Sequence, residues 1–149
     1  MRMTEEVDRP AMLARLHEGL LDADTAGFSD LLRAALAPGS APGPDVMTDL
    51  GAAQSFALAV LPGFWVTSGL CYLSGHASLG PDYNGPDGER LREEWPIGRG
   101  DSGWHEDLHP GEGVADVGHQ CAAILRCMVK ALAWRQGLDL DDAPAAPAP

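Results

Sequence analysis

The chain has 149 residues, enough for one domain with a sizeable core but not comfortably for two. Its 22 acidic residues against 10 basic ones give a net charge of −12, and Lys130 is the only lysine. Binding to the phosphate backbone of DNA or RNA needs a basic surface, so direct nucleic acid binding is disfavoured. An acidic surface instead suits a protein partner that carries a positive patch.

Neither membrane insertion nor secretion is expected from the sequence. No run approaches the roughly 18 apolar residues of a membrane span, and the first residues lead into no apolar signal-peptide core. The three cysteines, Cys71, Cys121 and Cys127, are an odd number and form no C-x-x-C pair. We therefore expect a cytoplasmic protein with reduced thiols, in which Cys121 and Cys127 pack as small apolar side chains.

Both ends of the chain are predicted to lie outside the main domain. Apolar residues recur at helical spacing over 9–20 and 25–36, which predicts a helical hairpin within an N-terminal segment, 1–36. The Pro- and Gly-rich stretch 37–45 is a linker by composition, and the acidic, then Ala-Pro-rich tail 138–149 is predicted to be disordered. The apolar stripes of the two helices need a partner surface, on the same domain or on a second copy, which favours a homodimer.

Residues 46–137 are predicted to form one α+β domain, a small antiparallel sheet packed by two main helices. The first helix is expected over 48–61, with Thr48 as its N-cap. The second is expected over 114–136, where the apolar residues form one stripe and Gly137 ends the helix.

The sheet is expected to come from residues 64–81, whose aromatic and β-branched side chains favour two or three short antiparallel strands. A turn or bulge is predicted at 68–69 and a second turn at 74–75, which leaves Tyr72 on a strand. The region 97–108 offers a further strand.

The chain contains one motif that indicates a specific chemistry, His105-Glu106-x-x-His109. On a helix, this spacing lets two imidazoles hold zinc while the glutamate acts as general base, so a metal-dependent hydrolase is one hypothesis. His119 is among the candidates for a third zinc ligand. Pro110 and the neighbouring glycines leave little room for a helix, however, and the longer H-E-x-x-H-x-x-G-x-x-H pattern is absent. We therefore favour a turn-rich acidic loop over a catalytic centre.

The segment 82–116 is the acidic centre of the sequence, with ten acids against three arginines. Large aromatic residues in such a segment either fill the domain or form a binding surface. We expect Trp95 to fill the domain and Trp104 to be an exposed anchor. The leading hypothesis is a non-enzymatic protein that engages a basic protein surface through this segment. The alternatives are the metal-dependent hydrolase and a small-ligand-binding protein. The predicted binding residues are Tyr83, Glu93, Glu94, Trp104, Glu106 and Asp107.

The stretch Leu61-Pro62-Gly63-Phe64-Trp65 joins an Ala-rich helix to the predicted strands, and a Cys- and Ala-rich helix follows them. This order resembles the α-β-α "ABA sandwich" domains of phage and prophage proteins of unknown function, over about 45–137. The insertion at 80–113 is longer than that pattern. The resemblance implies a phage accessory protein or an inhibitor of a host factor, and it implies no catalytic residue and no cofactor.

Overall fold

The computed structural model describes residues 46, 48–96, 103–110, 113–135 and 137. The predicted N-terminal helical hairpin, the linker and the C-terminal tail lie outside the described residues. Within them the chain has the predicted α+β fold. Its elements in chain order are α1 (Leu50–Val60), β1 (Phe64–Leu70), β2 (Gly75–Pro81), α2 (Gly88–Glu94), β3 (Trp104–Leu108) and α3 (Val117–Arg135).

The three strands of the described chain form one antiparallel sheet in the order β1-β2-β3. β1 and β2 pair along their whole length, from Phe64 opposite Pro81 to Leu70 opposite Gly75. β3 pairs with the other edge of β2, so that Leu108 also lies opposite Gly75. The end of the sheet at which Leu70, Gly75 and Leu108 meet is called the hairpin end below.

The turn between β1 and β2 lies between the two predicted positions, next to the second of them. β1 continues through 68–69, and the chain reverses at 71–74, where the Cys71 N–H donates to the Ser74 carbonyl at 2.9 Å. Glycine fits at position 69 of the strand because the His76 imidazole packs over it and occupies the space that a Cβ would need. Tyr72 therefore lies in the turn, 72% exposed, and its prediction as a strand residue is wrong.

The first helix has its N-cap one residue later than predicted. Asp49, not Thr48, is the N-cap: its backbone is extended and its carboxylate accepts from the Ala52 N–H at 3.0 Å. An aspartate caps better than a threonine, so the neighbouring acid displaces the predicted cap. After the helix, Gly63 adopts a φ of 87°, which turns the chain into β1.

α3 is the centre of the core. It starts at Val117, and every residue from Gln120 to Ala131 is buried, whereas the sequence pattern indicated a single apolar stripe. Cys121 and Cys127 are both 0% exposed, which confirms the prediction that they pack as apolar side chains. No helix of the described chain combines the length and the apolar character needed to cross a membrane.

An aromatic cluster fills the core at the end of the sheet away from the hairpin. Trp95 is 3% exposed, as predicted, and its ring meets that of Phe64 at a centroid distance of 5.0 Å. Trp104 is only 6% exposed and lies 6.0 Å from both Trp95 and Trp134. The prediction of Trp104 as an exposed anchor is therefore wrong, because the alternation of side chains along β3 turns this residue toward α3.

Candidate functional site

The H-E-x-x-H motif lies on β3 and the residue after it, not on a helix. Side chains alternate along a strand, so His105 and Glu106 point to opposite faces of the sheet. Four residues of extended chain span about 13 Å, which is too far for two imidazoles that must each approach zinc to about 2 Å. His109 has a different neighbour, since its Nε2 lies 3.6 Å from Asp107 Oδ1.

The third predicted zinc ligand is also engaged elsewhere. His119 lies in the first turn of α3, and its Nδ1 is 3.0 Å from Asp116 Oδ1. Throughout the part of the chain that the structure describes, no three His, Cys, Asp or Glu side chains are grouped so that they could hold a metal ion. The described geometry thus gives no support to a zinc site built from His105, His109 and His119.

The glutamate of the motif belongs to a buried ionic cluster between the sheet and α3. Glu106 Oε1 accepts from Arg126 Nε at 2.8 Å, and its Oε2 lies 2.9 Å from Lys130 Nζ. The Lys130 ammonium also donates to the carbonyl of His105 at 2.6 Å. The three side chains are only 9%, 9% and 5% exposed in the order Glu106, Arg126, Lys130. Because its carboxylate is buried against two cations, Glu106 is not placed for either predicted role, general base or surface contact.

The spacing of the residues explains why this cluster forms. Arg126 and Lys130 are four residues apart, so they share one face of α3. Glu106 occupies the middle of the inward row of β3, between Trp104 and Leu108. A charge in that row needs a partner because desolvation of an unpaired carboxylate is expensive. Arg126 lies in the middle of α3 and Lys130 about one turn further on, and the sequence alone gives no sign that both pair with a carboxylate of β3.

The outer face of the sheet carries a shallow, open groove of about 480 Å³. Its floor contains a hydrogen bond between Ser78 Oγ and His105 Nδ1 of 2.6 Å. The two residues are 27 positions apart, and only the pairing of β2 with β3 brings them together, so sequence reasoning missed them. The groove is lined by His76, Ala77, Ser78, His105, Glu106 and Asp107.

A serine beside a histidine has the spacing of a nucleophile and its base. Such a pair also needs a group that orients the imidazole and donors that stabilise an oxyanion. Among the described residues, Ser78 is the hydrogen-bonding partner of the His105 ring, while Asp107 on the same face lies against His109. The described part of the groove therefore offers polar contacts in an open setting, and the carboxylate of Asp107 lies against His109 rather than against the His105 ring.

The predicted acidic surface is divided between the two ends of the sheet. α2, which carries Glu93 and Glu94, packs near the start of β1, where Arg90 Nη2 donates to the Pro62 carbonyl at 3.2 Å. Asp107 pairs with His76, one position from the hairpin end. A strand of this length spans about 20 Å. Residues that are close in the acidic segment are therefore far apart in the fold.

The end of the sheet beside α2, called the α2 end below, mixes acids with arginines. Arg90 lies 2.8 Å from Glu94 and 3.7 Å from Asp87. The Arg92 guanidinium lies over the Tyr83 ring at 5.7 Å, and the Tyr83 hydroxyl donates to the Trp95 carbonyl. Tyr83 is thus engaged within the fold, and the acidic charge at this end is partly offset.

Comparison of the chain with protein-family models, with curated proteins and with solved structures gives no match. The resemblance to phage ABA-sandwich domains accordingly stays an expectation from the sequence. A function has to be proposed from the described surfaces and their charges.

Proposed function

We propose that this protein is a small acidic, non-enzymatic binding protein that engages a basic surface of a protein partner, as a phage accessory protein or an inhibitor of a host factor. One observation carries the proposal. The buried cluster takes two cations, Arg126 and Lys130, but only one carboxylate, Glu106, away from the surface, which leaves the surface with one more net negative charge.

The described surface is consequently more acidic than its composition. Three arginines, Arg90, Arg92 and Arg135, remain at least partly exposed. Apart from Glu106, whose side chain is only 9% exposed, the carboxylates that are exposed or partly exposed in the described residues are Asp49, Asp82, Asp87, Glu89, Glu93, Glu94, Asp107 and Asp116. A surface of one sign raises the rate of encounter with an oppositely charged partner and repels nucleic acid, whose phosphates are also negative.

A second candidate, a hydrolase, is favoured by one observation, the Ser78–His105 hydrogen bond. Its test is the hydrolysis of an activated aryl ester by the wild type and by Ser78→Ala and His105→Ala. Loss of turnover in both variants supports the hydrolase, and equal background rates in all three proteins reject it. Glu106→Gln is not a suitable probe of this chemistry because the Glu106 side chain points away from the groove, toward Arg126 and Lys130.

The salt dependence of binding tests the main proposal. The probe is a fluorescent amphipathic peptide with one leucine face and one arginine face, and its affinity is measured by anisotropy. The Debye length falls from about 30 Å at 0.01 M salt to about 8 Å at 0.15 M, so we expect the affinity to fall steeply over this range. A peptide in which glutamate replaces arginine is the control and should not bind. Salt-independent binding, or equal binding of both peptides, contradicts the proposal.

A further inference from the structure

Most of the exposed apolar side chains of the described chain lie in one place. Six large apolar side chains are exposed among the described residues, and five of them are at or beside the hairpin end. Single exposed apolar residues are ordinary, but a contiguous group marks an interaction site. The five, called the hairpin patch below, are Leu70 (44% exposed), Tyr72 (72%), Leu73 (68%), Val114 (47%) and Val117 (38%).

Backbone contacts hold the two parts of the hairpin patch together. The carbonyl of Tyr72 accepts from the Ala115 N–H at 3.1 Å, which fixes the segment before α3 against the turn of the hairpin. Gly75, at the start of β2, lies so close to the backbone of His119 and Gln120 that a Cβ would overlap it. The hairpin turn and the start of α3 are therefore one continuous surface.

Carboxylates border the hairpin patch. Asp116 precedes α3, and Asp49 precedes α1. Burial, and after it the charges of these two acids, raise the pKa of the Cys121 thiol to about 11, so both acids lie near the start of α3. Asp107 acts in the same direction on the thiol of Cys71, whose pKa is lowered chiefly by its hydrogen bond with Ser74. The hairpin end thus combines an apolar centre with three acids at its edge.

The exposed arginines of the described chain lie at the other end of the sheet. Arg90 donates to the Pro62 carbonyl, and Arg92 lies over Tyr83. Arg135 lies over the ring of Trp95 at 4.7 Å. The charge of the hairpin end is therefore less offset than that of the α2 end.

We infer that the hairpin patch is the surface with which this protein binds its partner, and that the partner presents an apolar groove bordered by arginine or lysine side chains. The inference rests on the proposed function and adds the surface and the shape of the partner. An apolar centre with a charged rim is the usual anatomy of a binding interface, and tyrosine is among the residues that contribute most to affinity. A second copy of this chain is a poor occupant, because the same acids would face each other.

Two pairs of variants test the inference with the leucine–arginine peptide at about pH 8, where ordinary histidines are neutral. The first pair changes one apolar residue: Leu73→Ser in the patch against Leu58→Ser on α1, which is 36% exposed. We expect Leu73→Ser to weaken binding roughly tenfold and Leu58→Ser less than about twofold.

The second pair removes three negative charges at either end of the sheet. One variant carries Asp49→Asn, Asp107→Asn and Asp116→Asn; the other carries Glu89→Gln, Glu93→Gln and Glu94→Gln. Asparagine retains the cap at Asp49 and the contact of Asp116 with the Gly118 N–H, so the fold should be kept, which circular dichroism checks. Both variants have the same net charge. We expect a roughly tenfold loss of affinity for the first and less than about threefold for the second.

Modification of Cys71 provides a readout that does not depend on affinity. All three cysteines lie in the described chain; Cys71 is exposed, while Cys121 and Cys127 are buried. A thiol reagent should therefore react first at Cys71, and saturating peptide should slow that reaction. An unchanged rate in the presence of bound peptide overturns the inference.

The outcomes separate this inference from the proposed function. If binding depends on salt but both charge variants weaken it equally, the partner surface is not the hairpin patch, while the proposed function stands. If the peptide binds without salt dependence, the proposed function fails. If sedimentation shows a dimer that Leu73→Ser dissociates, a second copy covers the patch and the inference is overturned.

Discussion

Replacement of Glu106 by glutamine should destabilise the protein strongly. The substitution keeps the size of the side chain but removes the carboxylate that Arg126 and Lys130 share at 2.8 and 2.9 Å. Removing one partner from a buried ion pair costs about 3–5 kcal/mol, because the remaining charge is left desolvated. Typical domains have a free energy of unfolding of about 5–15 kcal/mol, so this loss is a large share of the total.

Urea denaturation measures the effect, and the chain offers a matched control. With a urea dependence of about 2 kcal/mol per molar, the unfolding midpoint of Glu106→Gln should fall by roughly 2 M. Glu94→Gln makes the same chemical change in a pair of the same length, 2.8 Å to Arg90, but both side chains are 40% exposed. Its free energy of unfolding should change by less than about 0.5 kcal/mol.

A triple variant separates the loss of a partner from the loss of packing. Replacing Glu106 by leucine and both Arg126 and Lys130 by methionine removes all three charges together. Well-packed apolar replacements of buried ionic clusters are often neutral or stabilising, so we expect stability within about 1 kcal/mol of the wild type. If Glu106→Gln instead unfolds within about 1 kcal/mol of Glu94→Gln, then Glu106 is not buried against these cations, and the assignment of the motif to the core is refuted.

Three further predictions concern the core and the thiols. Trp104→Ala should lower the free energy of unfolding by about 3–5 kcal/mol in urea denaturation, because Trp104 fills the aromatic cluster. A change below about 1 kcal/mol would indicate that Trp104 is exposed at the surface. A colorimetric thiol assay should detect one fast-reacting cysteine, Cys71, in the native protein and all three after unfolding. The reaction rate of Cys71 should rise at a lower pH than that of a free cysteine because the pKa of Cys71 is lowered. Three fast thiols in the native state would show that the core is open. The pKa of Cys121 is raised from 9.0 to about 11, so the neutral thiol is stabilised in the native state. The stability that this shift contributes should be fully present below pH 9 and fall as the pH rises toward 11. Cys121→Ala should lose less stability over this range, and identical pH profiles of variant and wild type would argue against the shift.

The types and order of α1, β1, β2 and α3 could be predicted from sequence because each has a local cause. The apolar spacing of α1 and α3, the Pro62-Gly63 stop and the β-branched residues after it are all readable within a few positions. The helix cap was misplaced by one residue because Thr48 and Asp49 are both good caps. Only the better acceptor decides between them.

The motif region could not be predicted in the same way. Trp104-His105-Glu106-Asp107-Leu108 alternates, but its middle inward residue is a glutamate, and glycines and Pro110 flank it. That glutamate becomes an acceptable core residue only when Arg126 and Lys130 of α3 meet it, a contact across 20 or more positions. The sequence of this stretch alone therefore indicates a loop. Only the pairing with β2 and the packing of α3 identify it as a strand.

The exposed residues of the hairpin turn cannot be predicted for a related reason. Tyr72 and Leu73 follow a strand in an apolar run, and this pattern predicts that the strand continues, yet the turn at 71–74 exposes both. The position of a turn determines which side chains reach solvent, and register is a long-range property. In the same way, the acids of α2 and Asp107 belong to one segment in sequence but to opposite ends of the sheet.

Hydrogen–deuterium exchange with and without the leucine–arginine peptide tests the central claim most directly. The peptide should slow exchange in the hairpin turn, 71–74, and in the described residues 113–118, and it should leave α2, 88–94, unchanged. Slower exchange confined to α2 would contradict the account, because the binding surface would then lie at the α2 end of the sheet.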